Sequence, residues 1–203
     1  MGKKSKRKKN RFPSSTKTKS NPLDLLLHLK LWWKDYSVVV IYFSLFLFSL
    51  ILFYTFYSSR FFMEHLALPI IHFQGEVASF CLQLFGYNTH IEQHILQGSG
   101  QTLSIMKGCD GIEPIALYII GVLLTPFSLS IRFRGLLVGL LVLLVLNIFR
   151  IILLFGVKVH LPEWFDLIHI HGGYVLFMLI TIATWLIWTQ WALKQKRQIN
   201  VKN

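Results

Sequence analysis

Apolar residues fall into four long runs separated by polar breaks, and the run lengths already constrain the architecture. The runs at 36–57, 112–127, 135–157 and about 170–191 approach the roughly 17–25 residues that a helix needs to cross about 30 Å of hydrocarbon. They predict four transmembrane helices, the second of them short. Residues 64–86 mix hydrophobes with Glu64, His65, Pro69, His72, Gln74, Glu76 and Gln83. That pattern predicts an amphipathic helix lying on the membrane or packed over the spans, not a fifth crossing. Residues 87–107 alternate in places, as in His90-Ile91-Glu92 and Leu103-Ser104-Ile105, around Gly98-Ser99-Gly100. A short β-hairpin is expected there. The fold class expected is all-α: a polytopic membrane helix bundle of about four transmembrane helices, with an outer amphipathic helix and a short β-hairpin.

Composition strengthens the membrane reading. The 203 residues are 54% hydrophobic with a mean hydropathy of +0.53, too apolar for an ordinary soluble domain of this size. The net charge of +12 raises the question of nucleic acid, but 11 of the 21 Lys and Arg residues lie in the first 34 positions. The basicity belongs to a tail beside a first span, which reads as an anchor to anionic membrane lipid; no nucleic acid is expected. The leader 1–22 is poor in apolar residues and expected to be disordered. Residues 23–34, with Trp32 and Trp33, fit an interfacial helix. The first apolar run is too long for a signal-peptide core, and no small-residue cleavage site follows it. The chain therefore divides into a cytoplasmic polybasic tail and interfacial helix (1–35), a membrane domain (36–191) and a basic cytoplasmic tail (192–203).

Charge asymmetry sets the orientation. With four spans and an inner N-terminus, the inner segments 1–35, 128–134 and 192–203 hold 11, 2 and 4 Lys and Arg residues. The outer segments hold Arg60, Lys107 and Lys158, and Arg150 lies within a span. The excess of basic residues predicts both termini in the cytoplasm of a cell with an inner (cytoplasmic) membrane. A fifth crossing at 64–86 would put Arg132, Arg134 and the C-terminal cluster outside, against that bias.

This topology brings three reactive groups to one level. Cys109 precedes the second span on the outer face. Arg150 lies seven residues short of the outer end of the third, about 10 Å deep. His169 opens the fourth. Ionisable groups at or inside spans are costly to bury and read as functional. A free thiol needs a base or a nearby cation to become a thiolate, and His169 can take its proton and return it to a leaving amine. Arg150 does not deprotonate; it suits a thiolate, an oxyanion or a carboxylate. Asp110 and Gly111 would lie where the second span begins, with backbone N–H groups free to face an oxyanion. Asn147, one turn before Arg150, can orient the guanidinium or bond a neighbouring span. Glu113, one turn after Cys109, is a candidate counter-ion for Arg150.

Each of these residues also has a structural explanation: cysteine is often simply buried, an arginine near a helix end snorkels, and a histidine caps. Their shared level favours the functional reading. A metal site is the enzymatic rival, since His160, His169, His171, Asp166 and Cys109 supply ligand types. However, the chain carries no HExxH helix and no spacing for a tetrahedral set, so no metal or other cofactor is expected. A non-enzymatic accessory role in envelope protein or polysaccharide export is the other alternative. A channel fits less well, because the polar residues cluster at one face. Cys81 also lies outside in this topology. A Cys81–Cys109 disulfide would block the thiol, so Cys81 is expected to be structural and free.

Three patches then resemble one family. Gly108-Cys109-Asp110-Gly111-Ile112 resembles the Cys-x-Gly-[Ile/Leu] nucleophile motif of the exosortase/archaeosortase family of membrane-embedded cysteine transpeptidases. Asn147-Ile148-Phe149-Arg150-Ile151 is similar to its Asn-x-x-Arg-[Ile/Val] motif. His169 through Tyr174, with Gly173 four residues after His169, is similar to its His-x-x-x-Gly-[Trp/Tyr] motif; His171 fits that spacing less well. The resemblance covers about 100–190 and implies catalytic roles for Cys109, Arg150 and His169. Family members are often longer, with about eight spans, so this chain resembles a compact member. The substrates implied are secreted proteins ending in a short motif, an apolar helix and a basic cluster. They would be cut at the outer leaflet and passed through a thioester to an acceptor that the residues do not identify.

Overall fold

The structure, a computed structural model, describes the backbone of residues 22–106 and 108–202 and the side chains of 36–106, 108–169 and 173–198. The expected disorder of the leader, the headgroup placement of Trp32 and Trp33, and the side chain of His171 lie outside the described residues. The chain forms two compact units, 1–41 and 42–203. Helix α1 (Pro22–Tyr57) takes in both the expected interfacial helix and the first span. The site belongs entirely to the second unit.

In that unit a helical turn α2 (Arg60–Phe62) and a π-helical turn (Met63–Ala67) lead into α3 (Leu68–Leu84). Ser59 caps the turn by accepting the Phe62 N–H at 3.2 Å. Helix α3 is the expected amphipathic segment. Its buried residues Ile71, Gln74, Gly75, Ala78, Ser79 and Leu82 recur at helical spacing and form one stripe. That stripe packs on α5 (Leu129–His160) and on the first strand of a small sheet.

The sheet is a three-stranded antiparallel meander, β1 (Thr89–Glu92), β2 (Ile95–Gly98) and β3 (Gln101–Ser104). One hairpin was expected and two are present. The second turn is Ser99-Gly100, with φ of 51° and 74°, as a two-residue type I′ hairpin requires. The first turns at Gln93-His94, with Gln93 at φ 55°. Leu96 and Leu103 pair across β2 and β3 and are both buried.

Among the described residues three helices are long and apolar enough to cross a membrane: Tyr36–Tyr57 of α1, Leu129–His160 (α5) and Val175–Gln198 of α6 (Val175–Lys202). The expected second span, α4 (Ile112–Leu124), has 13 residues. That is about 20 Å at the standard helical rise, short of the hydrocarbon thickness. Pro126 explains its early end, because the residue before a proline is driven into extended conformation; Thr125 sits at ψ 140°. Arg132 then closes that end, donating from Nε to the Phe127 carbonyl (2.7 Å) and from Nη1 to the Leu123 carbonyl (3.0 Å).

Helices α4, α5 and α6 pack together through small residues on α5. Gly135 receives the Trp188 ring and Gly139 the Tyr118 phenol, so a Cβ at either would collide with an aromatic side chain. The Tyr118 hydroxyl donates to the Gly135 carbonyl at 2.8 Å. This small-residue spacing is the common way for helices to approach where lipid offers no hydrophobic drive. Phe48, Ile51, Leu141 and Ile187 are each more than 60% exposed. Such an apolar surface suits lipid rather than water.

Candidate active site

A turn between β3 and α4 carries the thiol. The Cys109 and Asp110 N–H groups both donate to the Met106 carbonyl, at 2.8 and 3.1 Å. Gly108 and Gly111 bracket the turn at φ +88° and +70°, conformations that side chains other than glycine's rarely tolerate. Gly111 is also the N-cap of α4, and a Cβ there would lie 2.6 Å from Asn147 Cγ. Asp110 fixes the turn from the other side: Oδ1 accepts the Ile112 N–H (3.1 Å) and Oδ2 the Tyr57 hydroxyl (2.9 Å).

Helix α5 grips consecutive carbonyls of this turn. Arg150 Nη2 donates to the Gly108 carbonyl at 2.7 Å, and Asn147 Nδ2 reaches the Cys109 carbonyl at 3.4 Å. Three residues apart, the two side chains share a helix face. Asn147 Nδ2 also donates to Gln74 Oε1 on α3 at 2.6 Å. Gln74 and Asn147 are both fully buried, so the contact matters more than a surface pair would.

Arg150 is 7% exposed, yet its Nε and Nη1 have no hydrogen-bond partner among the described residues. It pairs with no carboxylate among those residues. Glu113, the candidate counter-ion, instead accepts the Tyr174 hydroxyl at 3.1 Å. The Phe177 ring lies under the guanidinium, 5.6 Å from Cζ to the ring centroid. Gly173 allows the π-helix Leu167–Tyr174 to come close; a Cβ there would be 3.2 Å from Arg150 Nε.

His169 sits on that π-helix, half-buried, stacked on Phe165 at 5.3 Å with an angle of 21°. Its Nδ1 is buried without a partner among the described residues. It makes no hydrogen bond to Cys109; the link between them is electrostatic, through Arg150, whose charge acts on both. Burial lowers the His169 pKa, as do Arg150 and Lys158, with Asp166 opposing. Cys109 is 1% exposed. Burial pushes its thiol up to about 11 and Asp110 adds to the shift, against the pull of Arg150. Burial likewise raises the Asp110 carboxyl, opposed chiefly by the Ile112 N–H and the Tyr57 hydroxyl.

The structure thus brings Cys109, Asp110, Gly111, Asn147, Arg150 and Gly173 into one contact set and sets His169 beside it. Glu113 belongs to a separate contact with Tyr174. His160 lies apart from that set, 2.6 Å from the Tyr87 hydroxyl in the loop between α3 and β1. Cys81 and Cys109 are both free thiols, and no three metal-ligand side chains cluster among the described residues. Sequence reasoning missed Gln74 and Tyr57 as site residues. Gln74 carried a usable signal: it interrupts the apolar stripe of α3, and a polar group there must find a partner.

The architecture and site define a helical integral membrane protein in which a buried arginine within one span holds a cysteine-bearing turn, with a histidine beside it. A sequence profile of transmembrane exosortases matches residues 29–196. The chain belongs to the transmembrane exosortase family. No curated protein and no solved structure matches it.

Proposed function

We propose that this exosortase is a cysteine peptidase and transpeptidase acting at the outer leaflet of the inner membrane on secreted proteins that end in an apolar helix and a basic tail. The observation that carries the reading is Arg150. A buried guanidinium held by one bond to Gly108, with two nitrogens unpaired among the described residues, is prepared for an anionic oxygen that the protein does not itself supply.

Both the thiol and the imidazole rest neutral on this geometry, since burial raises one pKa and lowers the other. Ionisation is therefore coupled to attack. As Cys109 Sγ adds to the scissile carbonyl, its proton passes to His169, and the carbonyl oxygen becomes an oxyanion facing Arg150 Nε and Nη1. Collapse breaks the C–N bond; His169 returns the proton to the leaving amine, and a thioester remains on Cys109. An acceptor nucleophile then attacks the thioester and gives its proton to His169, which returns it to the Cys109 sulfur as the C–S bond breaks. The acceptor is water in hydrolysis and an amine or hydroxyl in transfer.

The test is to express the chain and its Cys109→Ala variant with a membrane-tailed substrate in the same cells. Uncleaved precursor should accumulate in the variant alone. Equal processing by both would overturn the cysteine assignment.

A further inference from the structure

We infer that the lateral groove between α1, α4 and α5 binds the apolar helix of the substrate and delivers the chain segment before it to Cys109; this rests on the peptidase reading above. The groove is a cavity of about 1260 Å³ with almost wholly apolar walls.

Its walls share one spacing. Helix α1 contributes Ser49, Phe53 and Phe56. Helix α4 contributes Ile112, Ala116 and Ile119, and α5 contributes Leu137, Leu141 and Leu144. Each set is i, i+4, i+7, the stripe one helix presents to another. Three such stripes, with Pro69, Ile70, Phe73 and Gln74 of α3 beside them, face a common space that no described helix fills.

The dimensions agree. Seven residues of rise are about 10.5 Å, and a helix with side chains is about 10–12 Å wide, so a helical stretch of that length occupies roughly 800–1,200 Å³. The groove is also open to lipid, since Leu137 and Leu141 are 63% and 62% exposed. A helix already in the bilayer can enter from the side.

Its direction matches the chemistry. Phe56 adjoins Tyr57, which bonds Asp110; Ile112 follows the Cys109 turn; and Leu144 lies one turn before Asn147. All three walls therefore reach the level of the thiol at the same end. Gln74 lines the groove, and its Nε2 is buried with no acceptor among the described residues. Residues just before a helix leave carbonyls outside its ladder, and such a carbonyl would satisfy this donor. The same Gln74 holds Asn147, and Asn147 holds the Cys109 carbonyl.

Disulfide trapping tests this. The probe is a membrane-anchored reporter ending in an apolar helix of about 20 residues and a Lys/Arg tail, with single cysteines along the helix. In a Cys81→Ser, Cys109→Ala background, Leu141→Cys and Ile119→Cys should cross-link to it. Val142→Cys, exposed on another face of α5 at the same depth, should not. Leu141→Trp in the intact enzyme should raise the KM for the reporter at least tenfold, with the alkylation rate of Cys109 unchanged. Equal cross-linking at 142, cross-links between two copies of this chain, or none at 119 and 141, as lipid filling would give, would each overturn the groove assignment. Cross-links without cleavage by the intact chain would instead sink the peptidase reading and leave the groove standing.

Discussion

Alkylation of Cys109 as a function of pH separates a thiolate that exists at rest from one that forms only during attack. The thiol is pushed up to about 11, with burial the largest cause and Arg150 pulling the other way. An ordinary cysteine near 8.5 is about one quarter thiolate at pH 8; at a pKa near 11 the fraction is about one in a thousand. A neighbouring imidazolium would reverse this, but the His169 pKa is itself lowered by burial and by the Arg150 charge. The sign follows: a raised thiol pKa keeps the proton on sulfur to higher pH. The alkylation rate should then climb about tenfold per pH unit from 7 to 10, with no plateau near neutrality. Membranes carrying the Cys81→Ser variant offer a single thiol, and a small permeant reagent quantified by mass spectrometry reads it. Poor access to the buried sulfur would slow every point equally, so the shape of the profile is the readout. Arg150→Gln removes the opposing charge and should lower the rate at pH 9 further. A plateau reached at or below pH 7 would refute the argument and indicate a resting thiolate–imidazolium pair.

Two further outcomes follow from the same contacts. Arg150→Lys keeps the charge but loses the planar fork that holds the Gly108 carbonyl and leaves Nε and Nη1 without a partner among the described residues. Processing of a membrane-tailed substrate should fall about 10²–10³-fold, as when one oxyanion donor is removed; a change within a few-fold would mean that the guanidinium geometry is not used. Gly111→Ala forces a left-handed residue at φ +70° and sets a Cβ 2.6 Å from Asn147 Cγ. The backbone strain of about 1–2 kcal/mol joins the loss of the Asn147 hydrogen bonds at roughly 1 kcal/mol each, and the Tm in detergent should drop by several degrees. An unchanged Tm would show that the turn tolerates other conformations.

The membrane architecture was largely legible because hydropathy is a local property. The expected short second span ends sooner than its apolar run, and the cause is a single residue. The run 112–127 reads as one span, but Pro126 ends α4 at Leu124, and a composition window does not see backbone geometry. The sheet shows the same limit. Gly98-Ser99-Gly100 announces the second turn, whereas the first turns at Gln93-His94, residues with no turn chemistry of their own. There the strand pairing imposes the conformation rather than following from it.

Cys109, Arg150 and His169 could be read from the chain because Arg150 interrupts one apolar run and Cys109 and His169 border two others. Gln74 and Tyr57 acquire meaning only when α3 and α1 come against the Cys109 turn, contacts 73 residues apart for Gln74–Asn147 and 53 for Tyr57–Asp110. The turn itself explains why its motif was recognisable at all. Gly108 and Gly111 adopt left-handed backbone conformations, and Gly111 leaves room for Asn147. Asp110 holds the first N–H of α4. Arg150 and Asn147 hold the carbonyls of residues 108 and 109, which any side chain could present. The surroundings of Cys109 therefore specify a backbone shape, and that shape does not itself require a thiol at position 109. The chemical reason for a thiol there is the guanidinium beside it, whose Nε and Nη1 are unpaired among the described residues.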